Sequence, residues 1–228
     1  MPSPLVAVRE ALADALSLAF PIACAGCGEP GRRLCRTCAA ELEPRPLRQV
    51  LDGGLPVWSG LEYRGVAARA LRALKEEGRT GIARDLAPAL RAALGMAGSG
   101  RSGLIVVPVP TSRAAMRRRG YRVVDLLVRR AGLDPRPLLR AARRTADQRS
   151  LDREARAVNA AGSLRARPAP GIHVVVADDV VTTGATLREA ARALTAAGAH
   201  VVGAVTAAAT PRRAQLPDLE RDSWPRPG

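Results

Sequence analysis

Aromatic side chains are scarce in this sequence: two Trp, two Tyr and one Phe make up 2% of its 228 residues. Stacking against nucleobases therefore has few candidates, and the one near the candidate site described below is Tyr121. Lysine is scarcer still, because Lys75 is the one lysine among 36 basic residues. A single lysine among so many arginines indicates a role that a guanidinium group cannot fill.

Long apolar runs are also missing. No stretch approaches the roughly 20 apolar residues that a membrane span requires. Arg9, Glu10 and Asp14 interrupt the apolar pattern of the first residues, which therefore lack the hydrophobic region of a signal peptide. There is no internal repeat of solenoid length. We expect a cytoplasmic protein without membrane insertion, with one main domain and a small appendage.

Acidic residues are too few to balance the basic ones. There are 21 Asp and Glu against 36 Lys and Arg, which leaves a net charge of +15. Such a field attracts polyanions, among them nucleic acid, phosphorylated metabolites and acidic surfaces. Charge alone does not choose between these partners.

Cysteine is absent except for two Cys-x-x-Cys pairs, Cys24/Cys27 and Cys35/Cys38, with seven residues between the pairs. Such pairs can fold back so that four thiolates meet tetrahedrally around Zn²⁺. A redox Cys-x-x-Cys pair is the alternative, whereas a disulfide scaffold does not suit the cytosol. We predict a structural zinc module, because the spacing provides no open catalytic position.

The alternation of apolar runs and helical periodicity predicts an α/β fold with a parallel sheet. Helices are expected over residues 4–19, 64–75, 81–94, 123–131 and 184–198, and strands over residues 57–63, 104–110, 172–177 and 201–208. We predict an N-terminal helix with the zinc module over residues 1–42 and a main domain over residues 57–209. Residues 43–56 are interpreted as a linker and residues 210–228 as a disordered tail.

The most specific motif is the turn between the strand at 172–177 and the helix at 184–198. A helix start carries unpaired N–H groups and the positive end of the helix dipole, so it can bind a phosphate. Gly184 leaves the backbone accessible, and neighbouring threonines add hydroxyl donors. We predict that a phosphomonoester is held by Thr182, Thr183, Gly184, Ala185 and Thr186. An ordinary turn with capping threonines is the alternative.

Two carboxylates, Asp178 and Asp179, precede this turn at the carboxyl end of the strand, which is the usual ligand edge of an open α/β sheet. Because adjacent strand residues point to opposite sides, we expect the two carboxylates to divide their work. They suit sugar hydroxyls and a Mg²⁺ ion held through water.

A second anion site is predicted at the loop that leaves the strand ending at Pro110. This loop faces the same edge, so its backbone amides and Arg113 can meet an anion, together with Thr111 and Ser112. Lys75 closes an earlier helix, where phosphate binding and a solvated helix end are both open. The run Arg117-Arg118-Arg119-Gly120-Tyr121 opens or interrupts the next helix. Its three arginines form either a solvated face or a phosphate grip.

Residues 143–159 contain few apolar side chains and much polar chemistry. Helical spacing would bring several of them to one face. We interpret the segment as mobile and able to close over a charged substrate, with a solvated basic helix as the alternative. Its candidate residues are Gln148, Arg149, Arg153, Arg156 and Asn159.

Taken together, these motifs resemble the ComF (competence protein F) family of the type I phosphoribosyltransferase superfamily. The resemblance runs from Cys24 to Ala208 and rests on the paired cysteine knuckles, Leu-Lys-x-x-Gly, Pro-Val-Pro, Arg-Arg-Gly-Tyr, Gln-Arg-x-Leu and Asp-Asp-Val-Val-Thr-Thr-Gly. It implies a type I phosphoribosyltransferase fold, in which helices flank a parallel sheet, with a small zinc module built from the four cysteines. The chain departs from the family's pattern at Arg122-Val123, where Asn-Gln is typical.

The resemblance also implies ligands and roles. Asp178 and Asp179 would hold the ribose hydroxyls of phosphoribosyl pyrophosphate (PRPP), residues 182–186 its 5′-phosphate, and the loop after Pro110 its pyrophosphate with Mg²⁺. The expected activity is phosphoribosyl transfer, with release of pyrophosphate, to an acceptor that the sequence does not identify. One alternative is a non-catalytic protein that assists DNA uptake and binds single-stranded DNA or a DNA-uptake protein. Another is a PRPP sensor whose zinc module docks a partner.

Overall fold

The computed structural model describes residues 22–98, 103–142 and 162–211. Three sequence-based predictions fall outside these residues: the helix over residues 4–19, the arginine-rich segment with Gln148, Arg149, Arg153, Arg156 and Asn159, and most of the predicted tail. They remain predictions.

Seven strands are present in the described residues. They are β1 (Leu47–Val50), β2 (Pro56–Glu62), β3 (Ile105–Pro108), β4 (Leu139–Ala141), β5 (Leu164–Ala166), β6 (His173–Val181) and β7 (His200–Ala209). Five of them form one sheet in the order β1-β2-β7-β6-β3, and β4 and β5 form a separate two-stranded antiparallel sheet. In the five-stranded sheet only the β1–β2 pair is antiparallel. The central strands are runs of Val and Ala that are buried on both faces, as parallel strands usually are.

The helices in the described residues are α1 (Arg36–Glu41), α2 (Gly65–Glu76), α3 (Ala83–Gly98), α4 (Arg113–Arg119), α5 (Val123–Arg130) and α6 (Ala185–Ala196). A 3₁₀ turn, Thr80–Ile82, leads into α3. Among the described residues, no helix combines the length and the apolar character needed to cross a bilayer.

The sheet separates two hydrophobic cores. On one face α2, α3 and α5 bury Leu71, Leu86 and Leu127, and three of the four cysteines belong to the same core. On the other face α6 and the two-stranded β4–β5 sheet bury Leu187 and Leu194. Helices on both faces of a mostly parallel sheet confirm the predicted α/β fold.

Most predicted elements of the main domain are found within a few residues of their predicted bounds, but the linker over residues 43–56 is partly wrong. Residues 47–50 form β1, which pairs with β2 from Leu47↔Ser59 to Val50↔Pro56. Four residues flanked by Pro46 and the Gly53-Gly54 turn carry little local strand signal. The free edge of β2 supplies the partner, which local sequence patterns do not reveal.

Two further differences concern the ends of elements near the site. Strand β6 continues to Val181, so that Asp178 and Asp179 lie within the strand rather than after it. The Arg-Arg-Arg-Gly-Tyr run interrupts the helix: α4 ends at Arg119, its C-cap Gly120 has a left-handed φ of +76°, and α5 begins at Val123. Glycine adopts this conformation without a steric penalty.

Candidate functional site

The turn between β6 and α6 presents free backbone donors. Gly184 is the N-cap of α6, and no side chain caps this helix. The first amide that bonds back to the cap is that of Arg188, which donates to the Gly184 carbonyl at 2.9 Å. Within the described residues, no hydrogen bond is made by the N–H groups of Thr186 and Leu187. The helix start therefore has the free donors that anion binding requires.

The threonines of this turn lie at the surface. Thr182, Thr183 and Thr186 are exposed, whereas Ala185 is half-buried. The Ala185 N–H lies 3.4 Å from Thr183 Oγ1, a long contact that leaves the hydroxyl free to donate elsewhere. The predicted phosphate-binding residues thus surround one helix start.

The structure gives a different reason for glycine at position 184 from the one that the sequence predicts. Its φ is +75°, and a Cβ at this position would lie 2.3 Å from Leu51 Cδ1. The space that a side chain would need is therefore filled by Leu51. Backbone conformation and packing require glycine here, independently of any ligand.

We expect Gly184→Ala to lower the free energy of unfolding by roughly 2–4 kcal/mol, because left-handed strain and overpacking against Leu51 add. Replacing Leu51 by a shorter side chain should relieve the overpacking. In a urea-unfolding cycle, the double variant Gly184→Ala/Leu51→Ala should lose at least about 1 kcal/mol less than the sum of the single variants. Simple additivity would contradict the packing account.

The two carboxylates on β6 have different surroundings. Asp179 Oδ1 forms an ion pair with Lys75 Nζ at 2.8 Å, and the two side chains are 14% and 24% exposed. Asp178 Oδ1 accepts a hydrogen bond from the Asp179 N–H at 2.8 Å. Lys75 is thus not a solvated helix end, since it reaches from α2 to the ligand edge of the sheet.

Burial, reinforced by the negative charge of Asp179, raises the pKa of Asp178 to about 7. The Asp179 N–H and the Lys75 ammonium group act in the opposite direction without cancelling this effect. Asp178 therefore exchanges a proton close to neutral pH, a property common in ligand-binding and catalytic sites.

This raised pKa predicts a pH-dependent stability. Between pH 3.8 and about 7 the folded state holds a proton on Asp178 that the unfolded state has released. The stabilisation is complete below the lower value and is lost as the pH rises through the upper one. We expect the stability of Asp178→Asn, relative to the unmutated protein, to increase between pH 5 and pH 8 by up to about 3 kcal/mol in urea unfolding. An unchanged difference would contradict the assignment.

Tyr121 connects the segment after α4 to the helix that carries Lys75. Its hydroxyl donates a hydrogen bond to the Leu74 carbonyl, next to Lys75. Burial raises the pKa of Tyr121, so the hydroxyl stays protonated and remains a donor. Sequence reasoning considered Tyr121 as a stacking candidate and as part of the Arg-Arg-Gly-Tyr motif, and it missed this contact. The Leu-Lys and Gly-Tyr motifs were visible separately, but their proximity is a product of the fold.

The loop after β3 reaches the same edge as the carboxylates. Pro108 is paired in register with Ala177, and the Val109 N–H donates to the Ala177 carbonyl at 2.9 Å. Beyond it Thr111 is half-buried, and Ser112 and Arg113 are exposed. The structure thus brings the two predicted anion-binding segments to neighbouring strand ends, as expected for parallel strands. One detail differs, because Ser112 Oγ accepts the Ala115 N–H at 3.2 Å and so caps α4.

The remaining arginines of this region have distinct surroundings. Arg117 and Arg118 are exposed. Arg119 Nε is buried and has no hydrogen-bond partner among the described residues. At the position where the chain departs from the family's pattern, Arg122 lies 3.7 Å from Asp125, and Val123 is buried in the core. Val123 therefore has a packing role.

The four cysteines converge at a second site. The sulfur atoms of Cys24, Cys27, Cys35 and Cys38 all lie within 4.8 Å of one another, and those of Cys27 and Cys35 are 3.7 Å apart. Zn–S bonds of about 2.3 Å in a tetrahedron place sulfurs roughly 3.8 Å apart, so the set fits a zinc ion. Convergence of all four sulfurs favours a metal over a redox pair. Gly26 is needed in this arrangement, because a Cβ there would lie 2.4 Å from Cys38 Sγ.

Backbone amides point at the cysteine sulfurs. The Gly26 and Cys35 N–H groups donate to Cys24 Sγ at 3.4 and 3.3 Å, and the Cys38 N–H donates to Cys35 Sγ at 3.5 Å. Burial raises the pKa of Cys24, but the backbone N–H groups around it outweigh burial and lower the pKa to about 6. Burial raises the pKa of the Cys38 thiol instead. Amide donors of this kind orient and stabilise metal-binding thiolates.

Comparison with known proteins supports this description of the main domain. The model of the phosphoribosyl transferase domain matches residues 115–223, slightly less than half of the chain. The match includes both carboxylates and the turn before α6, and it excludes the cysteines and Lys75. Over these residues the match agrees with the resemblance found in the sequence. The fold is the α/β fold with a mostly parallel sheet that the sequence predicts.

No curated protein matched the sequence. Among solved structures, an adenine phosphoribosyltransferase is 14% identical with a TM-score of 0.37, over 75% of this chain and 89% of that one. An orotate phosphoribosyltransferase from Aeropyrum pernix is 21% identical with a TM-score of 0.30, over 75% of this chain and 78% of that one.

Proposed function

We propose that this protein is a ComF-like phosphoribosyltransferase, which binds PRPP and transfers its phosphoribosyl group to an acceptor with release of pyrophosphate. The observation that carries the proposal is the adjacency of free amides at the start of α6 and the carboxylate pair at the end of β6. The match to a phosphoribosyl transferase domain over these residues supports it.

Each part of PRPP has a complementary group at this edge. The 5′-phosphate accepts hydrogen bonds from the Thr186 and Leu187 amides and from the threonine hydroxyls of the turn. The ribose hydroxyls donate to Asp178 and Asp179. The pyrophosphate lies at the loop over residues 111–113, and Lys75 exchanges its partner Asp179 for a phosphate oxygen.

The reaction breaks the bond between the anomeric carbon and the pyrophosphate oxygen and forms a bond from that carbon to the acceptor. The electron pair of the broken bond leaves with pyrophosphate, so positive charge develops on the ribose and negative charge on the leaving group. Lys75, Arg113 and the loop amides stabilise the leaving group. Asp178 and Asp179 would hold a Mg²⁺ ion through water, and the ion would supply further positive charge to the leaving group.

Isothermal titration with PRPP, in the presence and absence of Mg²⁺, tests the proposal. We expect saturable binding that ribose 5-phosphate and pyrophosphate each weaken by competition, with Mg²⁺ needed mainly for the pyrophosphate effect. Absence of both heat and competition at millimolar concentrations of PRPP and Mg²⁺ would overturn the proposal.

Pyrophosphate release separates an enzyme from a sensor. In a coupled assay with a panel of nucleobases and amines, an enzyme releases pyrophosphate from PRPP when a suitable acceptor is present. Binding without release across the panel would favour the PRPP-sensing alternative, in which the cysteine module docks a partner. A pull-down in which a partner protein binds only without a chelator, and in which PRPP changes the amount bound, would support that alternative.

A second candidate function is single-stranded DNA binding in DNA uptake, which the net charge of +15 and the exposed Arg117 and Arg118 on α4 favour. Affinity for an oligonucleotide should then fall steeply as salt increases, because phosphate contacts release counterions. Binding that stays constant between about 50 and 200 mM salt would exclude a mainly electrostatic contact.

A further inference from the structure

Helix α2 lies between the cysteine cluster and the carboxylate pair. Its first half contacts the segment that contains Gly26, and its last turn carries Lys75. The same helix therefore meets the candidate metal site at one end and the ligand edge of the sheet at the other.

The contacts at the first half are direct. Arg69, on α2, donates through Nε to the Gly26 carbonyl between Cys24 and Cys27. A Cβ on Gly26 would lie 3.1 Å from Val66 Cγ1, which shows how closely the knuckle approaches the helix. Three cysteines share one hydrophobic core with the buried face of α2.

The cysteine module also holds the far end of α2. Arg79, which follows the helix, donates to the carbonyl of Ala23 and lies 3.4 Å from that of Arg33. The Arg79 N–H in turn donates to the Ala73 carbonyl in the last turn of α2 at 3.2 Å. A chain of contacts thus runs from the residue preceding Cys24 to the turn that contains Lys75.

We propose that metal binding at the four cysteines sets the position of α2 and thereby holds Lys75 against Asp179, with Arg69 and Arg79 as positioning residues. The carbonyls of Ala23 and Gly26 lie beside or between ligand cysteines, so closing the metal tetrahedron fixes these acceptors in space. Loss of the metal frees them, and the two arginines no longer hold the helix.

The consequence for anion binding rests on the proposed function of Lys75. An ion pair at 2.8 Å between partly buried groups is sensitive to a displacement of the helix by about 1 Å. Metal occupancy at the cysteines is therefore linked to affinity for PRPP, although the metal does not touch it.

The single lysine makes this coupling directly measurable. Protein prepared with lysine that is ¹³C-labelled at Cε alone gives one side-chain signal, that of Lys75. Zinc-loaded Asp179→Asn supplies the position of the unpaired signal. Removing zinc from the unmutated protein with a chelator should move the Lys75 signal at least halfway towards that position. A folded, metal-free protein whose signal stays in place would overturn the proposal, as would a protein that takes up no metal.

Substitutions test the coupling without removing the metal, which also covers the case in which the metal-free protein unfolds. Zinc-loaded Arg79→Gln and Arg69→Gln should each move the Lys75 signal in the same direction, and the double variant should move it further. Arg72→Gln is the matched control, because Arg72 lies exposed on α2 and makes no hydrogen bond or ion pair with the described residues. In this variant the Lys75 signal should stay in place. Folded, zinc-loaded variants at 69 and 79 with an unmoved signal would overturn the proposal.

PRPP binding is a separate readout. For Arg79→Gln we expect affinity to fall about fivefold with little change in Tm. If the Lys75 signal moves as expected but the unmutated protein does not bind PRPP, the coupling stands and the proposed function fails. If PRPP binds but the Lys75 signal does not move in any of these experiments, the proposed function stands and the coupling fails.

Discussion

The double variant Asp178→Asn/Asp179→Asn should bind PRPP at least about 100-fold more weakly than the unmutated protein. Each carboxylate is proposed to accept a ribose hydroxyl, and a hydrogen bond to a charged group contributes about 1.5–3 kcal/mol. Asn retains the size of Asp but offers one weaker, neutral acceptor, so the loss is mainly one of charge. Titration calorimetry with PRPP and Mg²⁺ measures it.

Two controls make this result specific. Asp52→Asn introduces the same change at a surface residue, whose side chain is 93% exposed and pairs with Arg188 on α6. It should leave PRPP affinity within about twofold, because an exposed ion pair contributes little. The double variant must remain folded by circular dichroism. A folded double variant that binds PRPP as tightly as Asp52→Asn would remove the carboxylates from the site.

The local part of this site could be read from the sequence. A β-branched run, two carboxylates, a threonine-rich turn and a periodic helix carry their own signals, and the structure has β6 and α6 close to where these signals predict them. The convergence of the cysteines was also predictable, since spacing alone limits which ligands can meet.

The pairings across the fold could not be read in this way. Lys75 and Asp179 lie far apart in sequence, and only the packing of α2 on the sheet brings them to 2.8 Å. Tyr121 meets Leu74 for the same reason. The raised pKa of Asp178 likewise depends on burial that a sequence does not state. Contacts of this kind depend on tertiary packing, which local propensity does not encode.

Gly184 shows that a sequence pattern can predict a helix start for an incomplete reason. The motif predicts glycine at a helix start that binds phosphate, and the structure has a helix start with free amides there. The glycine itself is explained by a left-handed φ and by Leu51, a residue in the turn after the unpredicted strand β1. Substituting Gly184 would therefore test folding before it tests ligand binding.

Replacing Cys35 by Ser should abolish zinc binding and lower the free energy of unfolding by at least about 3 kcal/mol, because structural zinc sites contribute directly to folding. Cys35 is buried, its sulfur accepts the Cys38 N–H, and it lies 3.7 Å from the Cys27 sulfur. Zinc content by atomic emission and urea unfolding, with and without a chelator, measure both effects.

The free energy of unfolding should fall by more than it would if the cysteine module unfolded by itself, because three of the cysteines share the core that α2 and α3 bury. Chelation of the unmutated protein should therefore reproduce the stability of Cys35→Ser and leave that variant unchanged. Cys27→Ser, at the exposed ligand, should also lose zinc, but it should cost less stability once the metal is absent. If Cys35→Ser kept one zinc per chain, or if chelation left the unmutated protein's stability unchanged, the four sulfurs would be a packing cluster rather than a metal site.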